Sequence, residues 1–109
     1  MEECVFCKIA NKQLPASVIH ESDEVLAFED INPSADVHIL IIPKKHIGTI
    51  KEAESDGSLL STIFTIANII VEEKGLKNNA YRIVVNGGKA QQVPHLHFHL
   101  LGGTWRKHV

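Results

Sequence analysis

Two spacings of apolar residues divide the chain. Over residues 58–74, Leu59, Leu60, Ile63, Phe64, Ala67, Ile70 and Val71 recur at i, i+3, i+4 and i+7, which predicts one long helix, and Gly75 suits the left-handed position just past its end. Ile66 and Ile69 widen the apolar face, so the helix is expected to pack on a sheet and also against a partner chain. Elsewhere the period is two. Residues 17–21 and 24–29 read as strands joined through Ser22-Asp23 into an antiparallel hairpin. Residues 37–42 are apolar at nearly every position except His38, which predicts a strand buried on both faces and ended by Pro43. Residues 80–86 and 95–101 read as two further strands, the last stopping before Gly102-Gly103. A short helix is expected over 6–11, halted by the Leu14-Pro15 step, with turn chemistry at 30–34 and a loop at Asn86-Gly87-Gly88. Five strands outnumber the crossover helices, so the fold class is α+β with a mainly antiparallel sheet.

The last predicted strand carries the most informative chemistry. His95, His97 and His99 alternate with Leu96, Phe98 and Leu100, so a strand puts the three imidazoles on one face and the apolar residues in a core behind them. Imidazoles serve as nucleophiles, proton donors, phosphate partners or metal ligands. His95 and His99 would lie roughly 13 Å apart along such a strand, so one ion could take two of the three but not all. His38, alone in a buried strand, is a fourth candidate; a core histidine satisfied by one backbone hydrogen bond is the other reading.

Composition narrows the partners. The 109 residues fit a single domain spanning 1–109, with a real core and no room for a separate cofactor domain. A formal charge of −2 and no basic run longer than Lys44-Lys45 argue against a duplex nucleic-acid binder and favour a small charged ligand. No leader-like or membrane-length apolar segment is evident, so a soluble, cytoplasmic protein is expected. Cys4 and Cys7 are too few for a disulfide scaffold. Two thiols at that spacing form half of a tetrahedral zinc site; a pair of idle or buried thiols is the alternative, and a redox pair lacks its usual βαβ surroundings.

The run His95-Leu96-His97-Phe98-His99-Leu100-Leu101, preceded by Gln91 and followed by Gly102-Gly103, resembles the signature of the histidine triad (HIT) family of nucleotide hydrolases and transferases. The segments Phe28-Glu29-Asp30-Ile31-Asn32-Pro33 and His38-Ile39-Leu40-Ile41-Ile42-Pro43-Lys44-Lys45-His46 resemble the other shared stretch, so the likeness covers essentially the whole chain and points to the histidine triad nucleotide-binding branch. The resemblance implies hydrolysis of purine nucleoside phosphoramidates at the α-phosphate through a nucleotidyl-histidine intermediate. In that scheme His97 is the nucleophile, His99 steadies phosphoryl charge, and His95 and His38 complete the catalytic set. Asp30 would accept from both ribose hydroxyls, although a plain turn aspartate fits the local sequence too. Phe6, Ile9, Phe28 and Ile31 match the cleft around the base. Asn86, Gln91 and Gln92, with the backbone amides after Ala90, match the groups around the phosphate.

One departure concerns the leaving group. Gln92 stands where relatives carry a hydroxyl residue and Ala90 replaces a nearby glycine, so an amide that can donate a hydrogen bond but cannot shuttle a proton occupies that place. The loop from Asn86 to His95 is also short. The resemblance further implies a structural zinc held by Cys4, Cys7, His46 and His95. It implies a homodimer too, in which central helices and last long strands meet to make one ten-stranded sheet. Trp105 would either reach the partner's site or pack on its own chain. Two other functions remain open on this sequence: a dinucleoside polyphosphate hydrolase using the same His97, and a nucleotide- or zinc-binding protein with little turnover.

Overall fold

The computed structural model describes residues 4–109. Five antiparallel strands form one sheet in the order β1-β2-β3-β5-β4. They are β1 (Val18–Glu21), β2 (Val25–Glu29), β3 (Ala35–Pro43), β4 (Tyr81–Val85) and β5 (Phe98–Trp105); helices α1 (Val5–Ala10) and α2 (Gly57–Glu73) complete the fold. The sheet divides the apolar residues by parity. Ile39, Ile41, Phe98 and Leu100 join Ile63, Ile66, Ala67 and Ile70 of α2 in the main core, whereas Leu40, Ile42, Leu26 and Phe28 face the other way and are covered by Phe6 of α1. That second, thinly covered face is the one the histidines occupy.

Local sequence explains most boundaries. At the hairpin Ser22 Oγ accepts from Val25 N at 3.1 Å, closing the β1–β2 turn. Asp56 caps α2 by accepting from Leu59 N at 3.0 Å, and Gly75 takes φ +68 beyond its C-terminus.

Three expectations need correction. First, β5 begins at Phe98, not His95: its last ladder partners are Ile41 and Val85, and residues 95–97 run on past the end of β4, outside the ladder with β3 as well. Alternation survives there, with Leu96 in the α2 core and His95 and His97 against Phe6. Second, Gly102-Gly103 does not end the strand. Between the pairs Val37↔Gly102 and Ala35↔Trp105 the register shifts by one residue, and Gly103 absorbs the bulge at φ +77. Gly102 is held to glycine for another reason, since a Cβ there would sit 2.6 Å from Leu76 Cδ1. Third, β5 lies between β3 and β4, so the last long strand cannot meet a partner's sheet edge; the free edges are β1 and β4. Ile66 also belongs to the chain's own core at 3% exposure, while Phe64 at 44% and Ile69 at 39% lie outside it. Among the described residues no helix is long and apolar enough to cross a membrane.

Candidate functional site

Residues 95–97 owe their importance to leaving the ladder. The His95 carbonyl is not taken by a neighbouring strand and instead accepts from the His97 ring Nδ1 at 2.8 Å. A carbonyl can only accept, so His97 carries a proton on Nδ1, and the neutral tautomer of the ring has its lone pair at Nε2. Phe6 holds the ring edge-on at 5.2 Å. A fixed, neutral imidazole with one free lone pair is the form of histidine that attacks an electrophile.

His99 lies beside it at 5.0 Å between ring centroids. Its hydrogen bonds run back through β3. Ser34 N donates to His38 Nδ1 at 3.0 Å, which leaves the His38 proton on Nε2. That Nε2 donates to His99 Nδ1 at 2.9 Å, with the Asp30 carboxylate at 3.5 Å. The chain of donors therefore places the His99 proton on Nε2, a buried atom with no partner among the described residues. Burial, and then the nearby His97 and His38 rings, push the His99 pKa down to about 4, opposed only by Asp30. Burial likewise lowers His38, with Asp30 opposing and Lys107 reinforcing. Both rings are neutral at pH 7, so they offer directed hydrogen bonds and no net charge.

Asp30, His38 and His99 also bring possible ligand atoms within 4.8 Å of one another. The hydrogen bonding argues against a metal there, because the His38 atom facing the cluster is the one that must keep its proton.

The second cluster behaves differently. Cys4, as the N-cap of α1, and Cys7, in its first turn, bring their sulfurs toward His95 and His46. His95 Nδ1 lies 3.3 Å from Cys4 Sγ and 3.5 Å from Cys7 Sγ, and His46 Nδ1 lies 3.2 Å from Cys7 Sγ. A tetrahedral zinc with ordinary bond lengths sets sulfur and nitrogen ligands about 3.5 Å apart, so the donor set fits that ion. His95 Nε2 donates to the Pro43 carbonyl at 2.8 Å, which directs the Nδ1 lone pair at the sulfurs, and burial lowers its pKa. Burial, followed by the Cys4 thiol, raises the Cys7 pKa, so the thiolate form calls for a cation at the centre.

Two cavities adjoin the histidines. One of about 400 Å³ is apolar, lined by Phe6, Ile9, Phe28 and Leu40, with Asp30 and Ile31 at its rim. The other, about 380 Å³, is lined by Asp30, Ser34, His38, Gln92, His99 and Lys107 among others. Asp30 borders both. Its Oδ1 accepts from Asn32 N at 2.8 Å, so it is a turn aspartate as well as a cavity wall. Ile31 is 92% exposed.

The register carries Asn86 one step past Val85↔Phe98, onto the His97 side of the edge. Gln91 is not brought to the cavities: its amide donates to the carbonyls of Gly48 and Val93, tying the 86–95 loop to the segment after β3. Trp105 packs on its own chain, with Arg82 at 4.3 Å over the ring and His108 edge-on at 4.9 Å. Sequence reasoning missed Leu40, Ser34 and Lys107. Leu40 reads as generic core and Ser34 as a turn residue, and Lys107 carries no signal of its own; the β3–β5 pairing and the tail's bonds to Ser34 join them to the histidines.

Residues 3–108 match the family model described as scavenger mRNA decapping enzyme C-term binding. A 14 kDa zinc-binding protein of Zea mays is 42% identical over 104 residues, covering 91% of this chain and 80% of that protein. A HIT family hydrolase from Legionella pneumophila superposes with a TM-score of 0.89 at 46% identity, covering 94% of each chain. A second HIT family hydrolase, from Clostridium thermocellum, gives 0.90 at 48% identity over 95% of this chain and 93% of its own. With the alternating histidines, the five-stranded sheet and these relatives in agreement, the chain belongs to the histidine triad (HIT) family.

Proposed function

We propose that this protein hydrolyses purine nucleoside phosphoramidates through a covalent nucleotide on His97. The observation that carries this reading is the pairing of two fixed tautomers: a free lone pair on His97 Nε2 beside an unpartnered proton on His99 Nε2. In the first step His97 Nε2 attacks the α-phosphorus, a P–N bond forms and the bond to the leaving amine breaks. The amine takes a proton from solvent, since the Gln92 amide has none to release. His99 donates to a phosphoryl oxygen as charge develops there. Water then attacks the same phosphorus, the P–Nε2 bond breaks with the electron pair returning to Nε2, one water proton passes to solvent, and a nucleoside monophosphate leaves with His97 restored.

The apolar cavity between α1 and β2 accommodates a base, and Asp30 at its rim faces the ribose. Aliphatic and phenyl walls read size rather than base edges, which favours purines with modest discrimination. The Cys4, Cys7, His46 and His95 set would hold a structural zinc ion. Bound there, zinc would fix α1 and residue 95 and leave His97 free for chemistry. A reducing cytoplasm keeps such thiols available. The site belongs to a homodimer joined along β4 and α2.

Steady-state hydrolysis of adenosine 5′-phosphoramidate tests the reading. Wild type should turn over and His97→Ala should lose at least about 10³-fold. A single burst of product per site without turnover would favour the nucleotide-binding alternative, for which Gln92 is the motivating residue.

A further inference from the structure

The His38 and His99 rings bring no net charge to the proposed site, and the structure brings a cation there from an unexpected direction. After the Gly103 bulge the chain turns back over the end of β3 and is fastened at four points. Thr104 N and Arg106 Nη2 donate to the two oxygens of Asp36 at 2.8 and 2.9 Å. Arg106 N and Lys107 N donate to the Ser34 carbonyl at 2.7 and 3.3 Å. Ser34 is also the residue whose N–H fixes the His38 ring, so the tail and the histidine chain share one anchor. The Trp105 ring, held between Arg82 and His108, completes the docking.

The result is a wall. Lys107 and His108 line the 380 Å³ cavity together with His38 and His99, the ring whose buried Nε2 has no partner among the described residues. Lys107 has no ion-pair partner among the described residues. Asp30, a carboxylate on the same lining, is engaged through Oδ1 by Asn32 N and through Oδ2 lies 3.5 Å from His38 Nε2, so both its oxygens already have neighbours other than Lys107.

We infer that Lys107 binds the phosphate of the nucleotide, so that residues 104–109 are part of the site and not a solvated tail. The inference rests on the nucleotide reading above and adds the group that neutralises the phosphoryl oxygens. His99 supplies direction through one hydrogen bond, and Lys107 supplies the charge that a neutral imidazole cannot. An exposed ammonium reaches a ligand in a wet cavity at modest gain, so the expected effect is about tenfold and not thousandfold.

Calorimetric titration of adenosine 5′-monophosphate and of adenosine into wild type, Lys107→Met and Lys107→Arg tests this. Met keeps the apolar stem and Arg keeps the charge. Lys107→Met should bind the monophosphate about tenfold more weakly, leave adenosine within twofold of wild type, and be largely rescued by Lys107→Arg. Monophosphate binding unchanged in Lys107→Met overturns the inference, as does an equal loss for both ligands, which would assign the tail a purely structural role. If Lys107→Met matches wild type while His97→Ala has lost turnover, the histidine mechanism stands and Lys107 alone is excluded. If wild type neither binds the monophosphate nor turns over, both readings fall together.

Discussion

At His99 the penalty of burial and the demand for a ligand fall on one ring. Its Nε2–H is buried without an acceptor, an arrangement that costs about 1–3 kcal/mol until something accepts from it. Its pKa, pushed down to about 4, makes that penalty grow with acidity. Unfolded, the ring binds a proton near pH 6.5; folded, it resists until about pH 4. Between those values the unfolded state holds more protons, so stability is full above pH 6.5 and declines as pH falls, by about 3 kcal/mol from His99 alone. His38, also lowered by burial, adds in the same direction. Urea unfolding at pH 7.5 and 4.5, compared between wild type and His99→Gln, checks this: the variant should lose distinctly less stability over that interval. Equal losses would mean that groups other than His99 govern acid sensitivity. A bound anion that accepts from Nε2 should raise the ring's pKa and reduce the acid loss in wild type.

At the scale of elements, Gly103 decides where the tail goes. Its φ of +77 is strained for any other residue, and a Cβ at this position would meet an Asp36 carboxylate oxygen at 2.6 Å, which leaves no room for alanine. We expect Gly103→Ala to destabilise by about 1–3 kcal/mol, and to loosen residues 104–109 beyond that loss. Denaturant unfolding reads the first effect. Faster hydrogen exchange at Thr104 and Arg106, whose N–H groups are tied to Asp36 and Ser34, reads the second. The same glycine marks how far the sequence speaks for itself. α2, the β1–β2 hairpin and the two-sided burial of β3 follow from local periodicity, because each is determined by neighbours within a few residues. The alternation of His95, His97 and His99 is legible for the same reason. Where β5 begins is not, since it depends on where its pairings with Ile41 and Val85 stop, and those residues lie in other strands. Nor can periodicity tell a glycine that ends a strand from one that bends it. Both Gly102-Gly103 and the tail beyond them are decided by what lies opposite, namely Leu76 and Asp36. The tautomers of His38 and His97 rest on single hydrogen bonds to Ser34 N and the His95 carbonyl, and residue type does not reveal these.

For the whole molecule the two free edges of the sheet bear on the proposed dimer. The sheet ends in β1 and β4, and the two edges are built differently. β1 is four residues long, has a bulge between Val18 and His20, and carries Glu21 bridged to Lys12 and Lys44 at 2.8 and 2.7 Å. Bulges and charge are the means by which sheets discourage further pairing. β4 has no bulge, and its one charged residue, Arg82, stacks on the Trp105 ring. Tyr81 at 40% and Val85 at 36% are exposed along it, and on the neighbouring flank of α2 Phe64, at 44%, touches Phe98 edge-on. A helix advances about 100° per residue, so Phe64 and Ile69 stand about 140° apart around the helix, and Phe64 is the one that touches β5, through Phe98. Pairing β4 with its symmetry mate would extend the sheet to ten strands and cover an apolar flank that a monomer leaves wet. Light scattering at micromolar concentration should give twice the chain mass for wild type and a monomer for Phe64→Glu with Tyr81→Lys, with the fold retained by circular dichroism. The matched change Ile69→Glu should leave the mass doubled. A dimer that survives the first pair and yields to the second would move the interface to the other flank. A monomeric wild type would remove it altogether.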